Sequence, residues 1–447
     1  MDRQQWLDER NSRSLRYSGR CLDQSRWIVV SGDAEYLRSY EGQVAALVTC
    51  NLLSRMTPSV AVALPAVPVA APMPWAGQPF ADLALAQMLA ADPEGGFLCR
   101  ESQASDVVLH LGPNGAGQIV HGAGWDSYVG SAPSPLRAAQ DANPFGPALA
   151  AILAISRLFV HRLDPPAIPF TCNALDWRET VAPPGAPPPN LADLGELWFV
   201  GAGSVGSAVM YFLTLATRDF SAALFDMDIV KVHNLDRSPV YSADDATRKI
   251  KKVHGAENYL RSVGVKDVIA EEVALHESRL WHGRSPGHPD LIVSAANEFN
   301  VRNFIEEGFP PLQLYATTGK NWQTALIRHV PMKDPCSLCL FPNESAQPAT
   351  QCATGKIPEN STKGEPGMDA ALPFLSFAAG LMTAVEITKL AHHGYPYSAN
   401  RVFLQTQPEP ALTQAWMSHR PGCSCRIRSA TVHRKMLTSS RYPGFCE

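Results

Sequence analysis

Three glycines that follow a short apolar strand constrain this chain more than any other feature. Residues 197–200 predict the strand, and the turn Gly201-Ala-Gly203-Ser-Val-Gly206 leads directly into a helical segment. The next apolar run, at 222–225, ends at Asp226, which lies 20 positions after Gly206. The glycines allow a tight turn and let phosphate oxygens approach the helix N-terminus, and the acid can accept hydrogen bonds from ribose hydroxyls. Strand, turn, helix, strand and acid in this order predict a nucleotide-binding βαβ unit.

The residues after this unit favour a nucleoside triphosphate over a nicotinamide cofactor. A cluster of cationic side chains, Lys249, Lys251 and Lys252, follows Asp226 closely. Attack on an α-phosphorus builds negative charge that fixed cationic groups can stabilise, whereas a nicotinamide needs no such cluster. The plainer alternative is a solvated, charged helix surface. We therefore expect ATP, and an NAD-dependent oxidoreductase is the outside alternative.

An alternation of strands and helices predicts a second α/β unit in the first half of the chain. The predicted strands lie at 27–30, 60–64 and 106–111, and the predicted helices at about 40–55 and 147–162. The turn after the first strand lacks repeated glycines, so this half is predicted to be a nucleotide-type fold without a nucleotide site. A proline-rich run at 182–190 predicts a semi-rigid linker. The expected organisation is a domain at 1–180, a linker at 181–191 and a domain at 192–447.

Two close pairs of cysteines predict a metal site. Cys336 and Cys339 form a C-x-x-C pair, and Cys423 and Cys425 form a C-x-C pair 84 positions after Cys339. Four thiolates suit a tetrahedral Zn²⁺ and leave no open coordination position, so the expected role is structural. Four unrelated thiols are the alternative.

A single cysteine, Cys352, lies in a polar segment at about 343–368 between the two pairs. A cysteine in such a segment downstream of a nucleotide site is a candidate nucleophile if its thiolate is favoured. Most isolated cysteines are inert, so spacing alone leaves both possibilities open. The cysteines to which we assign no role are Cys21, Cys50, Cys99, Cys172 and Cys446.

Composition and charge narrow the class of protein. Hydrophobic residues make up 45% of the 447 residues, and 38 Lys and Arg against 42 Asp and Glu give a net charge of -4. This balance argues against a dedicated nucleic-acid or membrane-surface binder. The first 20 residues lack the apolar core of a secretory signal, and the apolar stretch at 372–390 contains Glu386 and Lys389. We expect a cytoplasmic protein with neither nucleic acid nor membrane as a partner.

Taken together, these motifs resemble the ThiF/MoeB and ubiquitin-activating-enzyme superfamily, over about residues 197–426. The resemblance implies two Rossmann-like adenylation domains of α/β class, ATP and Mg²⁺ as cofactors, and a structural zinc site with four cysteine ligands. It implies that Asp226 holds the ribose, that Asn234 and Arg237 contact ATP, and that Lys252 meets the phosphates. The residues implied to bind the cofactors are Gly201, Gly203, Gly206, Asp226, Asp228, Asn234, Arg237, Lys252 and Asn297.

The chain departs from the family at the magnesium position. Asn297 stands where the family usually has an aspartate, with Glu298 next to it. An amide oxygen can ligate Mg²⁺ but brings no charge and binds it more weakly. Either the metal is held differently or adenylation is impaired.

The first half resembles the inactive adenylation domain of ubiquitin-activating enzymes. That domain begins with an Arg-Tyr-x-Arg segment that sends an arginine into the partner domain's ATP site. Here the segment reads Arg16-Tyr-Ser-Gly-Arg20, with one extra residue, so Arg20 is the expected catalytic arginine and Arg16 the reserve. The alternative is that this segment is only the exposed, basic end of a helix. The compact two-half arrangement is similar to bacterial ubiquitin-activating-like enzymes of phage-defence operons (Bil-type).

The resemblance implies a function with several partners. The chain is expected to adenylate the C-terminal glycine of a ubiquitin-like protein, carry the acyl group on Cys352 as a thioester, and pass it to a conjugating enzyme. A homodimer is possible. Two alternatives are a sulfur-carrier-protein adenylyltransferase of the ThiF/MoeB type and a non-catalytic scaffold that binds a ubiquitin-like partner.

Overall fold

The computed structural model describes most of the chain. The described residues are 2–137, 142–189, 191, 193–285, 288–296, 299–308, 312–319, 321–340, 372–392, 399–423, 425–428, 430 and 442. Its strands form two separate sheets, one from each half of the chain.

The first sheet has seven strands in the order β3-β2-β1-β4-β5-β6-β7. These strands are β1 (Ile28–Gly32), β2 (Val60–Ala63), β3 (Leu98–Cys99), β4 (Val107–Leu111), β5 (Gln118–Ala123), β6 (Asp126–Gly130) and β7 (Phe170–Asn173).

The second sheet has eight strands in the order β10-β9-β8-β11-β12-β13-β14-β15. These strands are β8 (Glu196–Val200), β9 (Ser221–Phe225), β10 (Val268–Glu271), β11 (Leu291–Ser294), β12 (Gln313–Gly319), β13 (Gln323–His329), β14 (Arg401–Gln405) and β15 (Ala411–Ala415).

Helices cover both sheets. The helices of the N-terminal half are α1 (Arg3–Ser18), α2 (Ala34–Arg38), α3 (Tyr40–Met56), α4 (Phe80–Ala91) and α5 (Phe145–Val160). Those of the C-terminal half are α6 (Ser204–Ala216), α7 (Ala243–Arg248), α8 (Lys252–Ser262), α9 (Arg279–Gly283), α10 (Phe299–Glu307), α11 (Ser337–Leu340), α12 (Pro373–Leu390) and α13 (Cys425–Arg428). No helix in the described ranges is both long and apolar enough to cross a bilayer.

The two sheets repeat one topology. In each, the first strand of the half lies between its second and fourth, five strands run parallel, and the last strands of the half extend the sheet in antiparallel fashion. Parallel strands joined through helices form a doubly wound sheet. The prediction of two Rossmann-like α/β domains is therefore confirmed.

The two halves share one hydrophobic core. Every residue of α12 is buried, and this helix packs against α6 of its own half and α5 of the other. At that junction the rings of Phe159 and Phe374 lie 5.5 Å apart. The two charged residues within α12 are paired, since Lys389 Nζ lies 3.2 Å from Glu386 Oε2. The stretch at 372–390 is thus a buried core helix.

The proline-rich segment lies between the two sheets in sequence and contacts the first half. The Nε1 of Trp125 donates to the carbonyl of Pro187 over 2.9 Å, and the amide of Ala182 donates to the Asp126 carboxylate over 2.6 Å. Further along, the β14–β15 hairpin returns to the first half, where the Leu412 amide donates to Glu179. The first sheet is thereby held against the far edge of the second.

Candidate functional site

The turn between β8 and α6 is tight, as its three glycines predict. Gly201 has a φ of +96°, and a Cβ there would lie 2.8 Å from the Ala296 amide nitrogen. A Cβ at Gly206 would lie 2.0 Å from the Gly201 carbonyl oxygen. At Gly203, the N-cap of α6, a Cβ would meet nothing within 4 Å, and no side chain caps the helix. The N-terminus of α6 therefore has no side-chain cap and has open space beside Gly203, as a bound phosphate group requires.

Asp226 follows β9 next to this turn and holds it. One carboxylate oxygen accepts from the Ala202 amide over 2.9 Å, and the other accepts from the Asp228 amide over 2.9 Å. Each oxygen retains a further lone pair for another donor. Asp226 therefore fixes the turn and remains able to accept from a ribose hydroxyl.

Lys252 is buried at the start of α8 and faces two carboxylates. Its Nζ donates to Asp228 Oδ2 over 2.7 Å, and its backbone amide donates to the Asp228 carbonyl over 2.9 Å. Burial acts to lower the pKa of this ammonium, but the charges of Asp226 and Asp228 outweigh burial and the pKa is raised. Lys252 is thus a fixed positive charge at neutral pH, held beside the turn.

The other two lysines of the cationic cluster have different contacts. Lys249 caps the C-terminus of α7 in the left-handed region, with a φ of 52°. Lys251 donates to the Met227 carbonyl over 2.9 Å and lies 3.7 Å from Glu272. Of the three, Lys252 is the one whose ammonium is buried beside Asp226.

A short 3-10 turn (Val232–Asn234) and the loop after it contain two further residues of the predicted site. Asn234 is buried and its Oδ1 accepts from the Lys231 amide over 2.9 Å. Arg237 is buried, and its Nη1 donates to Asp236 Oδ1 over 3.0 Å. Both residues thus belong to one fixed loop.

Tyr241, which no sequence motif singled out, ties this loop to the rest of the site. Its hydroxyl donates to the carbonyl of Ala202 in the glycine turn, and lies 3.1 Å from the carbonyl of Lys252. The loop, the turn and α8 are therefore joined at one buried hydroxyl.

The N-terminal half brings Arg13 to this region through α1, whereas the sequence predicts Arg20 or Arg16. Helix α1 packs against the 3-10 turn. Burial and the positive charges of Arg13 and Arg237 lower the pKa of His233 to about 4. Arg13 and Arg237 therefore both lie near His233.

Arg20 is directed elsewhere. Helix α1 ends at Gly19, whose φ of 73° is the left-handed conformation that terminates helices. The Nη2 of Arg20 then donates to the carbonyls of Phe159 and Val160 over 3.1 and 3.0 Å, and the guanidinium stacks 5.7 Å from the Trp322 ring. The structure thus places Arg20 at the end of α5, and Arg16 within α1, where it is half-buried.

An open cleft of about 200 Å³ lies against the antiparallel part of the second sheet. Thr317, Ala325 and Phe403 are register partners across β12, β13 and β14 and line it. Two guanidinium-bearing side chains, Arg302 of α10 and Arg401 of β14, are also part of the lining. The cleft therefore presents apolar, hydroxyl and guanidinium groups together.

This cleft lies near the edge of the sheet that carries the glycine turn. Thr317 is near the carboxyl end of β12, and its neighbour Ala316 faces the opposite side of the sheet, where it packs with Val205 of α6 and with Ala295 after β11. Strands β8, β11 and β12 end at the same edge because they are parallel. A chain lying in the cleft would thus have one end at the edge of the sheet where α6 begins.

The four cysteines of the two close pairs come together. All four Sγ atoms lie within 4.8 Å of one another. The distances Cys336–Cys339, Cys336–Cys423 and Cys339–Cys425 are each 3.7 Å between sulfurs. Sulfurs about 2.3 Å from a tetrahedral metal lie about 3.8 Å apart, whereas a disulfide needs about 2.0 Å. The cluster could hold a metal ion.

Two predicted site residues lie outside the described part of the chain. They are Asn297, at the expected magnesium position, and Cys352, the expected nucleophile. Their roles remain predictions from the sequence, and the segment at 343–368 lies wholly outside the described residues.

Comparisons with known proteins agree with this geometry. Residues 195–426 match the ThiF family, and residues 28–168 match the BilD N-terminal domain. The sulfur carrier protein ThiS adenylyltransferase of Bacillus subtilis (strain 168) is 32% identical over 155 residues, which is 32% of this chain and 42% of that protein. The matched region is thus less than half of that relative's length.

Solved structures of E. coli MccB are similar to the chain at lower identity. MccB with SeMet MccA is 16% identical with a TM-score of 0.40, and MccB with ATP is 18% identical with a TM-score of 0.38. Each alignment covers 52% of this chain and 66% of the other. The ThiF match spans more than half of the chain and contains the glycine turn, Asp226 and Lys252. The chain therefore belongs to the ThiF family, with an adenylyltransferase fold preceded by a BilD-type N-terminal domain.

Proposed function

We propose that the C-terminal half uses ATP and Mg²⁺ to adenylate the C-terminal carboxylate of a small ubiquitin-like protein. The observation that carries this proposal is the glycine turn with its open α6 N-terminus, beside the buried ammonium of Lys252. Amides and a fixed cation of this kind stabilise negative charge that grows on phosphate oxygens in a transition state.

In the reaction, a carboxylate oxygen attacks the α-phosphorus of ATP. A new O–P bond forms, the bond to the β-phosphate oxygen breaks, and pyrophosphate leaves with its electron pair. The α6 amides and Lys252 would bear the phosphate charge, and Asp226 would accept from the ribose hydroxyls. Mg²⁺ bound to ATP neutralises phosphate charge, and Asn297 and Glu298 are the candidates to ligate it.

The cleft beside β12–β14, with its two arginine side chains, supports a polypeptide carboxylate as the second substrate. An extended tail could lie on the face of β12–β14, and its negative terminus is attracted by Arg302 and Arg401. Because the cleft and the α6 N-terminus lie at the same edge of the sheet, the terminal carboxylate would reach the α-phosphate. The partner's globular body would remain outside.

In the second step we expect Cys352 to take the acyl group. The Cys352 thiolate attacks the acyl-adenylate carbonyl, a thioester forms, and AMP leaves. Cys352→Ala should keep partner-dependent ATP–pyrophosphate exchange and lose the reductant-sensitive adduct with the partner on non-reducing gels. Cys99→Ala, at an exposed cysteine far from these motifs in sequence, is the matched control and should keep both. Loss of exchange in a folded Cys352→Ala chain would contradict this role.

We further propose that Arg13, rather than Arg20, supplies positive charge to the phosphates from the N-terminal half. The packing of α1 against the 3-10 turn and the effect of Arg13 on the pKa of His233 support this assignment. Arg13→Ala should raise KM for ATP roughly tenfold, since a charged hydrogen bond contributes about 1.5 kcal/mol or more. Arg20→Ala, which removes contacts with α5, should leave KM for ATP within about twofold. If Arg20→Ala raised KM for ATP more than Arg13→Ala in the same exchange assay, the role would belong to Arg20.

The cysteine cluster is proposed to hold one structural Zn²⁺. Cys336 and Cys339 come from the segment that ends in α11, and Cys423 and Cys425 from the segment that begins α13. A metal held by all four would join these two segments and leave no position for a substrate.

A sulfur-carrier partner is the second candidate, favoured by the similarity to a ThiS adenylyltransferase. Both candidates share adenylation and differ in the fate of the acyl group. With a ubiquitin-like partner and a conjugating enzyme, the acyl group should move from the chain to the conjugating enzyme's cysteine. With a sulfur carrier, the terminal sulfur of a persulfide should displace AMP to form an acyl disulfide, and an added thiol should cleave its S–S bond to leave a C-terminal thiocarboxylate, which mass spectrometry detects as an added mass of about 16 Da. The BilD N-terminal domain favours the first candidate, in a cytoplasmic phage-defence pathway.

A further inference from the structure

We propose that Arg55, in the N-terminal half, is a positioning residue that holds the nucleotide loop of the C-terminal half in its working geometry. By nucleotide loop we mean residues 234–241. This inference rests on the proposed function, because it assigns a role in ATP binding to a residue that touches neither ATP nor the partner.

Arg55 lies near the end of α3 and is fully inside the molecule, with 3% of its surface exposed. Its Nη1 donates to the Leu235 carbonyl over 2.7 Å, and its Nη2 donates to the carbonyls of Pro239 and Tyr241 over 2.8 and 3.2 Å. Its Nε donates to Asn51 of the same helix over 2.7 Å. One guanidinium from the N-terminal half therefore joins three backbone positions of the nucleotide loop.

The same loop is held at a second point. Asp236 is buried, and its Oδ2 accepts from the Ser14 hydroxyl of α1 over 3.1 Å. Its other oxygen accepts from Arg237 over 3.0 Å. Ser14 thus orients, through one carboxylate, the arginine that is proposed to contact ATP.

The carbonyls that Arg55 binds belong to residues that are part of, or next to, the predicted ATP site. Tyr241, whose carbonyl Arg55 binds, carries the hydroxyl that joins the glycine turn to α8. Leu235, bound by the same guanidinium, lies between Asn234 and Asp236 in sequence. A displacement of the loop would therefore move Arg237 and Tyr241 together.

The contacts of residue 55 require an arginine, because a positive charge alone does not provide them. A planar guanidinium has five donors in a fixed fork and can bind several carbonyls at once, whereas an ammonium is a single point. Arg55→Lys should leave one or two buried carbonyls without a donor, and the loop would shift to satisfy them. The charge itself is retained by this substitution.

A matched control exists in the same half. Arg157 of α5 has 1% of its surface exposed and donates to three carbonyls, those of Val129, Pro166 and Ile168. All three belong to the N-terminal half, and Arg157 Nε also lies 3.3 Å from Glu409 Oε2, between β14 and β15 and outside the nucleotide loop. Arg157→Lys therefore retains a buried charge and loses the several guanidinium donors, as Arg55→Lys does, without a change in the contacts of the nucleotide loop.

The test compares the two variants of the full chain by ATP titration calorimetry and by hydrogen exchange. We expect Arg55→Lys to weaken ATP binding about tenfold, and Arg157→Lys to change it less than about twofold. Amides of 234–241 should exchange faster in Arg55→Lys alone. Ser14→Ala, a milder change, should weaken ATP binding about threefold even if Arg55→Lys folds poorly.

The outcomes separate this inference from the proposed function. If the unaltered chain binds no ATP, the proposed function fails. If the unaltered chain binds ATP and both Arg55→Lys and Ser14→Ala bind it equally well, the positioning role is overturned while the function stands. Equal weakening by Arg55→Lys and Arg157→Lys would also overturn it, because the effect would then be general destabilisation.

Discussion

Replacement of Lys252 by alanine is expected to lower ATP–pyrophosphate exchange by about a hundredfold or more. Removing one preorganised group that stabilises transition-state charge typically costs about 10²–10³ in rate. Lys252 is 9% exposed and its ammonium is already in place beside Asp226 and Asp228, so little reorganisation is needed when a phosphate arrives. The variant should remain folded, because the Asp228 side chain is 37% exposed and its carboxylate can be solvated instead.

The neighbouring lysine is the control for this variant. Lys251 carries the same charge, and its ammonium donates to the Met227 carbonyl and is 35% exposed. Lys251→Ala should therefore retain exchange within about threefold, since exposed ion pairs contribute less than about 1 kcal/mol. Comparable losses in both variants would show that general positive charge, and not the buried ammonium, supports the reaction. Circular dichroism on both proteins checks that each is folded.

Removal of the metal is expected to have the largest effect on stability. Cys336→Ser should abolish the bound Zn²⁺, which we expect at one ion per chain, and lower Tm by about 5 °C or more. Structural zinc contributes several kcal/mol because the site forms only in the folded protein. Elemental analysis measures the ion, and calorimetry of the same samples measures Tm.

Two comparisons make the metal prediction specific. Cys99→Ser changes an exposed cysteine outside the cluster and should leave both the zinc content and Tm unaltered. A strong chelator should lower the Tm of the unaltered chain to that of Cys336→Ser. An unaltered Tm after the zinc has been fully removed would contradict a structural role for the ion.

Much of the fold could be predicted from the sequence because its signals are local. Strand β8 was predicted at 197–200 and spans Glu196–Val200, and helix α12 was predicted at 372–390 and spans Pro373–Leu390. Each is bounded by a glycine or proline and consists of apolar residues with a clear period. The repeated topology of the two sheets followed from the same alternation of strands and helices in both halves.

The core of the site was predicted for the same reason. Gly201, Gly206 and Asp226 lie within 26 consecutive residues, and the short βαβ connection brings them together without reference to the rest of the chain. The two cysteine pairs are distant in sequence, yet thiolate chemistry alone was enough to predict that they meet.

The parts of the site that depend on the other half could not be predicted. Arg55 and Ser14 reach the nucleotide loop across 180 and 222 positions of sequence, and neither belongs to a motif. Arg20 illustrates the limit of motif reasoning. Its segment has one extra residue, and Gly19 ends α1 in the left-handed conformation, so the chain turns away and Arg20 reaches α5.

Isotope exchange between pyrophosphate and ATP measures directly whether the chain adenylates the C-terminal glycine of a small ubiquitin-like protein. The assay uses the purified full chain and a candidate ubiquitin-like protein that ends in glycine. We predict exchange that requires the partner and disappears when the partner's terminal carboxylate is converted to an amide. A folded, ATP-binding chain that shows no exchange with the intact partner, and gains it only as Asn297→Asp, would contradict the claim and indicate a scaffold.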